Sequence, residues 1–190
     1  MHLKETYSPE YGSAEDCNYD IALLRWGCQT LLKASQILSI KDDLIPKWQE
    51  IIEKLTDYPQ DENGMMIGKD VPFSKSHRHY SHLLMFYPLY LLNIEQNESK
   101  ELLEKSVEHW LSIPGNILGF SNTGASSLYA AAGEGDKALE KLKGLFALTL
   151  RPNTMYMESG PVIETPLSGA QCIHDMLLQS WGGKIRVFPA

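Results

Sequence analysis

The sequence predicts a mainly α-helical domain of about seven helices that ends in a short strand. Three observations carry this reading. Apolar residues recur at helical spacing through most of the chain. Glycine and proline interrupt that pattern at intervals that leave helix-sized segments between them. Only the tail, Lys184 to Phe188, alternates apolar and polar residues as a strand does. A chain of 190 residues can bury a sizeable core as one domain, and 43% hydrophobic with 22% charged residues is an ordinary globular composition.

The first helix is expected over about Asn18 to Leu38, where Ile21, Leu24, Cys28, Leu31 and Leu38 share a face, with Asp16 or Asn18 as its cap. The second runs from about Asp43 to Thr56 on Ile45, Trp48, Ile52 and Leu55, and Pro46 in its first turn costs no hydrogen bond. Between Tyr58 and Ser76 the period is lost, and Asn63-Gly64 between short runs reads as a turn or small hairpin. A third helix is expected from near His79 to Tyr87-Pro88 and a fourth over Ser99 to Ile113. A fifth, rich in small residues, spans Asn122 to Ala132 and closes at Gly133, and a sixth spans Asp136 to Leu150 and stops at Pro152. A seventh covers Ser168 to Ser180 and ends at Trp181-Gly182-Gly183. The two long segments without periodicity, Tyr58 to Ser76 and Arg151 to Leu167, are where a helical scaffold tends to carry function.

Several function classes are excluded. The formal net charge is −7 and there is no Lys/Arg run, so the footprint of a nucleic-acid binder is missing. No apolar stretch reaches about 18 residues, so no membrane span is expected. Met1 to Gly12 is polar and holds no signal-peptide core. Cys17, Cys28 and Cys172 are too few and too scattered for a disulfide framework and read as buried free thiols, which leaves the compartment open.

Three clusters carry chemistry. In Ser8-Pro9-Glu10-Tyr11-Gly12 a glutamate follows proline just before the first helix; such a residue is commonly only solvated. In His77-Arg78-His79-Tyr80-Ser81-His82 three histidines fall within six residues. They read as a metal site, as capping and packing histidines, or as a polar strip that donates charge-assisted hydrogen bonds to a ligand. The metal reading lacks an evident fourth ligand, and stoichiometric zinc in purified protein would revive it. In the segment Asn153 to Gly169 two carboxylates, Glu158 and Glu164, stand as candidate general bases or as surface residues.

The string His77-Arg78-His79-Tyr80-Ser81-His82-Leu83 with Tyr87-Pro88 resembles the "HRHxSHL…YP" motif of glycoside hydrolase family 95. The ending Ile173-His174-Asp175-Met176-Leu177-Leu178-Gln179-Ser180, then Gly183, Ile185 and Pro189-Ala190, is similar to the family's "IAEMLLQS…G…I…LPA". Gly133 to Leu139 resembles "LGDGxxAL", and Ser8-Pro9-Glu10 the "SPE" segment. The four matches keep the family's order and cover nearly the whole chain. The resemblance implies an (α/α)6 barrel that hydrolyses α-L-fucosides or α-galactosides with inversion. It makes this chain a single domain, the C-terminal part of a larger catalytic domain. The parent would be an exported, periplasmic or extracellular enzyme whose signal lies upstream.

By the same resemblance Glu10 is the general acid, and Arg78 and His79, with His77 beside them, contact the sugar. Inverting hydrolysis sets two carboxyl groups roughly 6.5–9.5 Å apart, so that a water fits between the base and the sugar. The family's base is an aspartate in "NLFDAHPPFQIDGNFG", and its position falls on Glu164, preceded by Ile163 as in the family. The reaction needs no metal or organic cofactor. Departures are plain: Glu164 replaces Asp, Thr165-Pro166 replace Gly-Asn, Glu158 replaces a histidine, and "GWSxAWK" is reduced to Gly119-Phe120-Ser121. The extra methylene displaces the carboxylate by about 1.5 Å, and a misplacement of ~1 Å can cost ~10²-fold in rate.

The partner implied is an oligosaccharide or polysaccharide, with Tyr11, Tyr80, Phe120 and Tyr156 as stacking aromatics or as packing. The alternative is a non-catalytic carbohydrate-binding or structural helical domain that needs the missing N-terminal half. Two asparagines that help activate water in the family lie upstream of "SPE". About seven helices do not close a ring of twelve, so exposed apolar helix faces and self-association are expected.

Overall fold

The structure is a computed structural model that describes residues 1–96, 98–158, 160 and 162–190. Among the described residues it is mainly helical, with six α-helices and three two-stranded antiparallel hairpins. The chain forms two compact units, residues 1–73 with 81–91, and residues 74–80 with 92–190.

In the first unit, strands β1 (Thr6–Ser8) and β2 (Gly12–Ala14) form a hairpin that leads into helix α1 (Asn18–Leu38). α1 packs against α2 (Ile45–Lys54), which starts at Ile45-Pro46 as the proline requires. Neither expected residue caps α1: Cys17 holds the N-cap position without a side-chain hydrogen bond. Asn18 instead donates its amide to the carbonyls of Pro59 (2.9 Å) and Met66 (2.7 Å), tying the following loop to the helix start. α1 ends in a Schellman motif with Ser39 at φ 54° in the place glycine usually takes; Ile40 N–H reaches Ser35 O at 2.9 Å. Strands β3 (Gln60–Asp61) and β4 (Gly64–Met65) form the expected small hairpin around Glu62-Asn63, and Gly64 takes φ 116°, which needs glycine. Cys17, Ile21, Ile67, Leu83, Met85 and Phe86 are at most 1% exposed and make the centre of this unit.

Asp16 ties down the start of the chain. Its carboxylate accepts from Leu3 N–H (2.6 Å) and meets His2 Nδ1 (2.7 Å). Burial works against its charge, but the Leu3 N–H and His2 outweigh it and hold the carboxyl below its ordinary value. A depressed carboxyl contributes stability that is present above its unfolded pKa and lost as pH falls through the folded one. Asp16→Asn is therefore expected to lower the melting temperature of this unit at pH 7, with the gap to wild type closing in acid. Thermal melts of both proteins across the acid range check this; a gap that stays constant would show that the charge contributes nothing.

In the second unit, α3 (Ser99–Ser112), α4 (Gly119–Ala131), α5 (Gly135–Thr149) and α6 (Glu164–Leu177) pack around α4. Helix α4 is buried along nearly its whole length because its small residues let α5 and α6 approach. Its hydroxyls are satisfied locally: Ser126 donates to Ala138 O (2.9 Å) and Ser127 to Asp175 (2.7 Å). Leu142, Leu145 and Cys172 pack beside it, with Tyr156 and Met176. All three cysteines are buried and free, as expected. No helix among the described residues is long and apolar enough to cross a membrane.

Two expected helices differ. In place of a third helix, the chain makes one 3₁₀ turn, Ser81–Leu83, followed by turns. Residues 77–80 of the second unit stay out of any helix, and side chains from α3 and α4 hold the carbonyls of His77 and Arg78, the latter the first acceptor that a helix from His79 would use. Trp110 Nε1 donates to His77 O (2.8 Å) and Ser121 Oγ to Arg78 O (3.0 Å). The expected seventh helix starts four residues earlier and ends at Leu177. Leu178–Trp181 becomes strand β5, paired with β6 (Lys184–Val187). Gly182 and Gly183, both at positive φ, close that hairpin, and Gln179 Nε2 pins β5 to Ala130 O (2.9 Å). Glu164, expected in a loop, is thus the first residue of α6, and Pro166 sits in its first turn, where its missing N–H is not needed.

Candidate functional site

Glu10 lies in the first unit, at the tip of the β1–β2 hairpin. Tyr11 N–H donates to Ser8 O (3.0 Å), so Pro9 and Glu10 are the central residues of the turn. Glu10 is exposed and takes φ 55°. That is the second central position of a type II turn, which glycine or asparagine ordinarily fills. The flanks are fixed. Ser8 Oγ lies 3.0 Å from Ser81 Oγ in a buried contact, and Tyr11 is 5% exposed with its ring 5.1 Å from Phe73. Phe73 in turn stacks on His82 at 4.5 Å. Glu10 thus sits on a turn whose two flanks are packed.

In the second unit, His77, Arg78 and His79 form a strip across the ends of α3 and α4. Their carbonyl anchors are Trp110, fully buried, and Ser121. The rings of His77 and His79 lie 5.1 Å apart, and His79 lies 5.4 Å from Phe120. Next in line, Tyr80 stacks on Phe120 at 5.9 Å, tilts against Trp110 at 5.5 Å and lies directly over Gly124 of α4. Burial, aided by Cys172 and Asp175, pushes its phenol up to about 12. Tyr80, like Tyr11, is thus a packing residue rather than an exposed stacking platform.

Glu164 is exposed at the start of α6. Glu158 is more firmly held. It accepts from Phe120 N–H (3.4 Å), from Thr165 Oγ1 (3.2 Å) and, by a short hydrogen bond, from the Tyr156 hydroxyl. Burial and then that bond push the Tyr156 phenol up to about 12. Ser159 and Pro161 of this segment lie outside the described residues.

The three histidines of the sequence cluster do not share one setting. His77 and His79 belong to the strip, whereas His82, in the first unit, is 1% exposed and stacked on Phe73, which is a packing role. Sequence reasoning missed Trp110 and Ser121 as anchors of the strip, because only the fold brings α3 and α4 to it. It also did not see Thr165 and Tyr156 as partners of Glu158.

A mainly helical fold with exposed carboxylates and an Arg/His strip does not by itself define an activity, and comparison with protein families supplies the class. Residues 1–177 match the glycosyl hydrolase family 95 catalytic domain. The chain belongs to that family, and glycoside hydrolysis with a carbohydrate substrate is its general function. No individual curated protein matches it.

Proposed function

We propose that the chain is the C-terminal part of an (α/α)6-barrel catalytic domain. Its reaction is the hydrolysis, with inversion, of terminal α-L-fucosyl or α-galactosyl groups of oligosaccharides. Glu10 is the general acid and Glu164 the general base; Arg78, His79 and His77 bind the sugar, and neither metal nor cofactor takes part. The observation that carries this reading is the match of residues 1–177 to the family 95 catalytic domain. The left-handed backbone of Glu10, which glycine would adopt at lower cost, is consistent with a functional side chain there, although Asp16, Asp70 and Glu98 share that conformation. The His77–His79 strip supports it, since its backbone carbonyls are anchored from two helices and its rings are preorganised. For Glu164, support comes from its exposure on the first residue of a rigid helix, where solvent water reaches it. The acid donates its proton to the leaving oxygen as the base takes one from the attacking water.

The test is release of sugar from a panel of α-L-fucosides and α-galactosides, with β-linked sugars as controls. Release confined to one α-linked sugar is expected. Binding without turnover would favour the second reading, a carbohydrate-binding helical domain, for which the Thr165-Pro166 that follow Glu164 in place of Gly-Asn speak.

Self-association is also proposed. Helix α1 exposes Leu23, Trp26, Leu31, Ile37 and Leu38, from 43% to 70% of each residue. An apolar stripe of that kind favours contact with another protein surface. Light scattering at micromolar concentration is expected to show species above 21.4 kDa, and a monodisperse monomer would refute it.

A further inference from the structure

We infer that Glu158 is a positioning residue, which fastens the hairpin of residues 150–158 to the starts of α4 and α6 and thereby sets Phe120 against His79. The inference rests on the proposed reading of the His77–His79 strip as a sugar-binding surface. Helix α4 begins at Gly119 behind Leu118, a residue with no side-chain acceptor to offer the first N–H groups of the helix. Ser121 Oγ accepts from Leu118 N–H (3.2 Å), but the Phe120 N–H is left for a partner from elsewhere in the chain. Glu158 Oε1 takes it. A carboxylate suits that place because the first turn of a helix carries partial positive charge. The other oxygen, Oε2, accepts from Thr165 Oγ1, in the first turn of α6 and 1% exposed, and from the Tyr156 hydroxyl.

Tyr156 is held in turn. Its hydroxyl is the nearest atom to the space above Gly119, where an added Cβ would come within 2.9 Å. The backbone around it is a tight hairpin closed by the Leu150–Tyr156 bridge, with Met157 N–H donating to Thr149 O (2.9 Å). One carboxylate therefore ties the start of α4, the start of α6 and the hairpin of residues 150–158. Phe120 carries the tie to the strip, since its amide bonds Glu158 and its ring lies 5.4 Å from His79 and 5.9 Å from Tyr80. Glu164, next to Thr165, is placed through the same bond.

The test compares Glu158→Ala with Glu158→Gln in the full chain. Glutamine still accepts from Phe120 N–H through its oxygen and donates its NH₂ to the two hydroxyls, which can reverse their roles. A positioning role predicts that Glu158→Ala speeds hydrogen exchange of the Phe120 amide about fivefold, the loss expected of a helix cap. It also predicts weaker binding of the released sugar and a fall in kcat/KM of about 10- to 100-fold. Glu158→Gln should recover most of each. If Glu158→Gln were as inactive as Glu158→Ala while the Phe120 amide kept wild-type exchange, the carboxylate would act on substrate directly and the inference would fail. Unchanged exchange in Glu158→Ala would overturn it as well. A wild-type chain that neither binds nor hydrolyses any α-glycoside would instead defeat the proposed function, and the exchange measurement would then decide the tie at Phe120 without it.

Discussion

Glu10→Gln is expected to lower turnover of glycosides with ordinary sugar leaving groups by about 10²–10⁴-fold, the usual contribution of a positioned general acid. The substitution keeps side-chain length and leaves φ at 55° no more strained than before, so the hairpin should hold. The loss should depend on the leaving group. An aryl glycoside whose phenol leaves without protonation needs no acid, so its turnover should fall far less than that of a disaccharide. An equal fall on both substrates would mean that the substitution disturbs binding rather than proton transfer. A companion variant separates strain from chemistry. Glu10→Gly relieves the left-handed backbone and is expected to raise stability by about 0.5–1 kcal/mol while abolishing turnover. Loss of both would show that the side chain holds the turn.

Gly124→Ala should destabilise the second unit, although helix propensity argues the opposite. Alanine in place of a helical glycine is worth about 1 kcal/mol in an open position. At Gly124, however, the new Cβ would run into the Tyr80 ring at Cε1 and Cδ1. Trp110 and Phe120 flank the ring and limit its retreat. Overpacking of a filled core costs about 1–3 kcal/mol, which outweighs the propensity gain. Because Tyr80 follows His79, its displacement should also weaken sugar binding. Gly27→Ala in α1 is the control: nothing lies within 4 Å of its added Cβ, so it should stabilise by about 0.5–1 kcal/mol. Denaturant unfolding of the two variants is expected to give midpoints on opposite sides of wild type. Midpoints that both rise would show that the Tyr80 ring is loosely held.

Elements with a local cause were legible in the sequence. Helix α1, its expected limits Asn18 and Leu38 unchanged, has an uninterrupted apolar period, and the β3–β4 hairpin is announced by Asn63-Gly64. What was not legible depends on distant partners. A helix is expected from near His79, but Trp110 and Ser121 hold the carbonyls of His77 and Arg78 just before it. Met176-Leu177-Leu178 fits a helix or a strand equally well, and the pairing with Val187 decides it. The capping residues failed for a similar reason: Asp16 and Asn18 are engaged with Leu3, His2, Pro59 and Met66. For the site, the family motifs located Glu10, the His/Arg strip and Glu164 as candidates. They gave no sign that Glu158, the residue that departs from the family's histidine, is the carboxylate with three donors around it.

If this chain carries the carboxylates of an inverting glycosidase, the first sugar it releases has the inverted configuration. The most direct measurement is the configuration of the first sugar released, followed by proton NMR of the anomeric signals before mutarotation sets in. An α-glycoside should yield the β-anomer first, with the α signal growing in only later. An α-anomer formed first would mean retention through a covalent intermediate, and would contradict the assignment of Glu10 and Glu164 as acid and base across a water.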